Sequence, residues 1–206
     1  MMHRFQNQIR LAGFFLTISA SLGCVSGSTG VRELDYPPIE STQFGTMSNV
    51  SKMGPLWFGA MPTENDLDLA SRRGVQRIID LSVPSERGTC ATSVACTRHE
   101  IEYLIAGIRP DSDPTDESVD LVLGWLRESL VGSVDASQKQ AAPQPIPTLI
   151  ICGSGGRCSM FFAIFRVMEM DVPLQAALEE ARRGGMLPGH PEVFVRQQVE
   201  RLTTSS

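Results

Sequence analysis

Aromatic side chains are scarce in this chain, making up 6% of its 206 residues. So few leave no stacking platform for nucleic-acid bases or sugar rings. An excess of positive charge is also missing: 18 Lys and Arg stand against 23 Asp and Glu, for a formal net charge of -5. With no basic face to offer, nucleic acid is excluded as an expected partner. The histidines number three, and no spacing of His, Cys and Asp suits a metal, so no metal site is expected. Internal repeats are absent. What is present is ordinary globular material, 42% hydrophobic and 20% charged, which suits one domain with appendages.

The N-terminus is set apart by its pattern. Arg4 and Arg10 make a basic start, residues 11–18 are apolar, and small residues follow up to Gly23 and Cys24. This order fits a secretory signal peptide, and the apolar run is too short to span a bilayer core of about 30 Å. Gly23-Cys24 after that run resembles the lipobox of bacterial lipoproteins, with Ser21 where a Leu is usual. That resemblance implies lipidation at Cys24 and an exported protein, periplasmic or held to the membrane by a lipid anchor. Residues 25–52, rich in Ser, Gly, Thr and Pro, read as a flexible linker, and the folded domain is expected over residues 53–206.

Within that domain, strands and helices alternate. Residues 55–61 offer a first short strand, and Thr63 caps a helix that stops at Gly74. A buried strand follows over 75–82, and then a loop holding Pro84, Glu86, Cys90 and Cys96. Cys90 and Cys96 are close enough in sequence to close a disulfide loop. A strand over 99–108, a helix over 117–131 capped by Thr115 or Asp116, and a polar Pro-bearing loop over 132–147 come next. The all-apolar run 148–152 reads as a central parallel strand. Helices are expected over 158–170, 173–183 and 191–202, with the apolar stripe Met160, Phe161, Phe162, Ile164, Phe165 and Met168 facing the core. The fold class is α/β, a mostly parallel sheet flanked by helices.

The chemistry concentrates at Cys152-Gly153-Ser154-Gly155-Gly156-Arg157. A buried strand ends at Cys152, small residues turn the chain, and Arg157 opens an apolar helix. Glycines at 153, 155 and 156 allow positive φ and close backbone approach. Successive N–H groups then turn inward as a nest while the helix presents its N-terminus to the same point. Ser154 and the three glycines therefore form a binding loop for an anion. A thiol there, beside Arg157, has its pKa lowered from about 8.5 toward neutral and becomes a nucleophile. Arg157 offers two parallel donors to a tetrahedral anion, as Lys cannot. Ser159 stands where it could donate to the Cys152 sulfur and ease its departure. Cys158 raises the alternative of a Cys152–Cys158 disulfide, which would block this chemistry.

These motifs resemble those of bacterial dual-specificity-phosphatase-like domains, the kind found alone, fused to NAD kinase, or in beta-lactamase-hydrolase-like proteins. The early signature of that family is matched by Gly59-Ala60-Met61-Pro62-Thr63, Leu67, Gly74, Ile78-Ile79-Asp80-Leu81 and Glu86. Its active loop is matched by Ile151 through Arg157, and the likeness covers roughly residues 55–185. Two positions depart from it. Ile151 replaces the usual His, and four residues, not five, separate Cys152 from Arg157. Four is common in this subgroup and is also the rhodanese sulfurtransferase spacing.

The resemblance implies a cysteine phosphatase needing no cofactor, with Cys152 as nucleophile and Arg157 as oxyanion holder. An Asp on the loop after the strand that precedes the long helix would be general acid, which points to Asp111 or Asp113, with Asp111 ahead. His99 and His190 read as surface residues, and Glu86 with Arg87 as a solvated loop pair. Three classes stay open on sequence: a phosphatase acting on a phosphorylated substrate, a sulfurtransferase taking a sulfur donor through a Cys152 persulfide, and a non-catalytic anion-binding module.

Overall fold

The computed structural model describes residues 39–86, 92–131 and 144–204. The signal peptide expected over 1–24, the expected lipidation site Cys24, the first part of the expected linker, Cys90 and most of the polar loop over 132–147 lie outside them. The described residues belong to one compact unit.

Six strands form one sheet: β1 (Glu40–Ser41), β2 (Ser51–Met53), β3 (Leu56–Gly59), β4 (Arg77–Asp80), β5 (Glu102–Ile105) and β6 (Thr148–Ile151), in the order β1-β2-β3-β6-β4-β5. β3, β6, β4 and β5 run parallel, and β1 and β2 add an antiparallel edge. The helices are α1 (Glu64–Arg72), α2 (Thr92–Arg98), α3 (Asp116–Val131), α4 (Gly156–Met170), α5 (Leu174–Arg183) and α6 (His190–Thr204). A mostly parallel sheet must be covered on both faces, and the period of two in its strands divides the core accordingly. Ile78, Leu149 and Ile151 pack with Leu67, Ala70, Ala95 and Cys96 of α1 and α2. Ile79, Ile150 and Cys152 pack on the other face with α3, α4, α5 and α6. The expected α/β architecture is the one observed.

α1 starts as expected: Thr63 Oγ1 accepts from the Asp66 N–H at 3.3 Å, and Asp66 Oδ2 accepts from the Thr63 N–H at 2.9 Å, a reciprocal capping box. One helix and one N-terminal segment differ from expectation. Residues 92–98, expected as loop, form α2, whose Ala95 and Cys96 are buried. Small residues there let a short helix pack closely, a tertiary gain that propensity alone does not display. Cys96 faces the core in one buried cluster with Ala95 and Ile101, and Cys90, its expected disulfide partner, lies outside the described residues.

The linker expectation is corrected over residues 39–52. Phe44, Met47 and Val50 are buried, and Asp66 accepts from the Thr46 N–H at 2.7 Å. Three apolar side chains scattered among Ser, Gly and Thr suffice to dock the segment because α1 and Trp57 supply the other half of the contact.

Candidate active site

β6 lies between β3 and β4, so its C-terminal end opens at the centre of the sheet. Cys152 follows at once, with no exposed surface, its N–H donating to the Gly59 carbonyl at 3.3 Å. The chain then turns through Gly155 at φ +93°, a value that β-carbon-bearing residues rarely adopt, and enters α4. The Gly155 N–H donates to Cys152 Sγ at 3.2 Å. Gly153 is required for another reason: a Cβ there would come within 2.7 Å of Glu86 Oε1. The loop expected from sequence is thus built, with Gly153, Ser154, Gly156 and Arg157 lining its mouth and Cys152 beneath.

The Cys152 thiol is lowered to about 6, first by a hydrogen bond from the Cys158 side chain, against burial, and further by backbone N–H donors and the Arg157 charge. Cys158 is pushed the other way, above the ordinary thiol range, because it is fully buried and next to the ionised Cys152. Its S–H also lies 3.5 Å from the Gly59 carbonyl. Once Cys152 is a thiolate, its sulfur is the stronger acceptor of the two. Both thiols are free, so the Cys152–Cys158 disulfide is not formed.

Two expectations are overturned here. Ser159 does not serve the Cys152 sulfur. Its buried Oγ lies 2.6 Å from the Gly184 carbonyl and 3.2 Å from that of Gly155, so its proton ties α4 to the turn after α5. Cys158 takes the role instead. Nor is Glu86 a solvated residue: both its carboxylate oxygens accept from Arg157 Nη1 and Nη2. Nη1 also donates to the carbonyls of Leu81, at 3.3 Å, and Ile108. Burial opposes the Arg157 charge, but the Glu86 hydrogen bonds together with the negative charges of Cys152 and Glu86 more than offset it and raise its pKa. Among the described residues Nε of Arg157 has no acceptor, which leaves that edge for a bound anion.

The mouth opens into a cleft of two lobes, about 250 Å³ and 280 Å³, which share Pro110, Arg157, Met160 and Pro191. Met160, expected only as a core residue, therefore also faces the site. The second lobe is walled by Asp111 and Asp113. Asp111 is exposed and bound through both oxygens by Arg109, at 3.0 and 2.9 Å, which lowers its pKa below the usual carboxylate value. Asp113 Oδ1 lies 2.8 Å from His190 Nε2 at the start of α6. His190 is a surface residue, as expected, but one whose partner belongs to the cleft. Asn49 is a residue that sequence reading passed over. Its Nδ2 donates to the Ser154 carbonyl at 2.8 Å, and only its place in a Ser/Thr-rich stretch hid it. Among the described residues no His, Cys, Asp and Glu cluster suits a metal, and no helix is long and apolar enough to cross a membrane.

No family model matches the chain, and no curated protein matches it. Solved structures do. Tk-PTP in its active form superposes with a TM-score of 0.56 at 22% identity, over 72% of this chain and 92% of that one. TpbA of P. aeruginosa gives 0.56 at 21% identity, over 82% and 96%. Kinase associated phosphatase, with serine in place of its catalytic-site cysteine, gives 0.59 at 16% identity, over 72% and 87%. The shared feature is the arrangement of a mostly parallel central sheet and flanking helices, and the chain has the cysteine-phosphatase fold.

Proposed function

We propose that this protein is a cysteine-dependent phosphatase acting on an organic phosphoester. The observation that carries the reading is a thiol lowered to about 6 at the floor of a glycine loop, with an arginine held over the same loop by a partly buried carboxylate. In the first step the Cys152 thiolate attacks phosphorus, the S–P bond forms and the P–O bond to the alcohol breaks. Arg157 and the loop amides hold the equatorial oxygens as charge spreads over them. Water then attacks the phosphocysteine, the S–P bond breaks, and inorganic phosphate leaves with Cys152 again a thiolate.

The departing alkoxide takes a proton from the loop over residues 109–114. We assign that role to Asp113, because Arg109 occupies both carboxylate oxygens of Asp111, whereas Asp113 is held through Oδ1 alone, by His190 at the wall of the second lobe. The rim of the cleft is apolar, with Met160, Met186, Pro110, Pro191 and the exposed Leu187. Such a rim favours an ester carrying an apolar group over free phosphate. Export through the N-terminal 24 residues, with a lipid at Cys24, belongs to the same proposal.

The test is turnover of p-nitrophenyl phosphate by the reduced protein, with Cys152→Ser as control, beside a thiosulfate assay with cyanide as acceptor. Phosphate release that disappears in Cys152→Ser supports the reading. Thiocyanate in place of phosphate would transfer the site to sulfur chemistry.

A further inference from the structure

We infer that Asn49 is a positioning residue of the anion loop: it holds the outer face of the peptide joining Ser154 to Gly155, so that the inner face presents its N–H to Cys152. The Asn49 amide nitrogen donates to the Ser154 carbonyl at 2.8 Å, and the Gly155 N–H of the same peptide donates to Cys152 Sγ at 3.2 Å. In a planar trans peptide the C=O and N–H point in opposite directions. Fixing the oxygen from outside therefore fixes where the N–H aims inside.

Backbone conformation, close packing and a neighbouring strap also tie Asn49 to this peptide. Its backbone sits at φ +52°, a left-handed conformation that Asn tolerates better than other residues with a side chain. A Cβ on Gly155 would come within 3.0 Å of Asn49 Cβ, and one on Gly185 within 3.2 Å of Asn49 Cγ, so the side chain is wedged between loop and turn. The neighbouring Ser48 carbonyl accepts from the Ala60 N–H at 3.0 Å, and Ala60 forms a β-bridge with Ser154. The segment holding Asn49 is thereby strapped to the loop it supports, although Asn49 itself is on the surface.

The inference rests on Cys152 being a thiolate nucleophile, and the experiment separates the two. Asn49→Gly keeps access to positive φ and removes the donor; Asn49→Asp keeps the shape but offers only acceptors to a carbonyl. In the full chain, the rate of Cys152 alkylation by iodoacetamide is followed against pH, the site being resolved by mass spectrometry. Arg157, Cys158 and Glu86, the charged or titratable groups around the sulfur, are unchanged in both variants. The wild-type midpoint is expected near 6, and the midpoint in both folded variants higher by about half a unit to one unit. Midpoints equal to wild type in folded variants would overturn the inference. Loss of folding in both would also overturn it, since it would place Asn49 in the fold and not at the loop. A wild-type midpoint in the ordinary thiol range would remove the nucleophile and with it any task for Asn49.

Discussion

Glu86 grips Arg157 through both carboxylate oxygens, and their side chains are only 19% and 13% exposed. The pair spans 71 positions of sequence. It sets the direction of the guanidinium, so that Nη1 and one side of Nη2 are spent on protein groups and the remaining edge faces the loop. Replacing Glu86 by Gln keeps the volume but removes the charge and one acceptor. We expect kcat/KM for p-nitrophenyl phosphate to fall about 10- to 100-fold, a barrier change of about 1.4 to 2.7 kcal/mol. The melting temperature should fall too, because a half-buried guanidinium loses its counter-charge. Unchanged kcat/KM in Glu86→Gln would mean that Arg157 is not held for catalysis by this pair.

Cys158 separates hydrogen bonding from burial at the Cys152 thiol. With Cys158→Ala the largest influence lowering the Cys152 thiol is gone while burial remains, so its ionisation should move up from about 6 by about one unit or more. Cys158→Ser, a stronger donor, should leave the midpoint near or below that of wild type. The wild-type rate should follow the same ionisation. Because the attacking species is the thiolate, kcat/KM rises with pH through about 6 and falls roughly tenfold per unit below it. A shared midpoint for alkylation and kcat/KM in wild type and Cys158→Ala would establish the link; a kinetic limb that ignores Cys158→Ala would break it.

The two loop aspartates should behave differently. Asp113→Asn is expected to lower kcat about 10²- to 10³-fold on an alkyl phosphate, and much less on p-nitrophenyl phosphate, whose leaving group needs little protonation. Asp111→Asn, which removes only an exposed pair with Arg109, should stay within about threefold on both, since exposed ion pairs contribute little. The reverse ranking would make Asp111 the proton donor.

The N-terminal boundary of the folded unit can be tested by truncation. A fragment beginning at residue 34 keeps Phe44, Met47 and Val50, whereas one beginning at residue 53 loses all three from the core. Removing a buried Phe alone costs about 3–5 kcal/mol. The shorter fragment should therefore melt about 10 °C or more below the longer one, or fail to fold. Equal melting curves by circular dichroism would restore residues 39–52 to the status of a tether.

The strands and helices that bury a continuous apolar face were legible in the sequence. The run 148–152 reads as a central strand because every side chain after Thr148 is apolar, and Thr148–Ile151 is buried on both faces of the sheet. Thr63 with Asp66 announces α1 because a capping box is a contact three residues long. Cys152 through Arg157 is equally local: strand end, glycine turn and helix start lie within one stretch of chain, so its spacing alone declares an anion loop. α2 and the docked segment 39–52 were hidden because each is held by partners distant in sequence, and short polar stretches carry no period to reveal them.

What the sequence determined by itself is therefore the loop, its thiol and the alternation of β3 to β6 with α1, α3, α4, α5 and α6, all properties of neighbouring residues. What tertiary structure alone decided is which groups serve that loop. Glu86 reaches Arg157, Asn49 reaches Ser154, and His190 reaches Asp113 across 71, 105 and 77 positions. The sheet order makes the first two meetings, bringing the ends of β3, β4 and β6 to one point. Ser159 lost its expected role for a local reason of the same kind. On α4 its hydroxyl faces the Gly184 carbonyl at 2.6 Å, and Cys158 is the residue turned toward the sulfur. Rotation about a helix axis relative to its neighbours depends on packing, and no spacing in the chain records it.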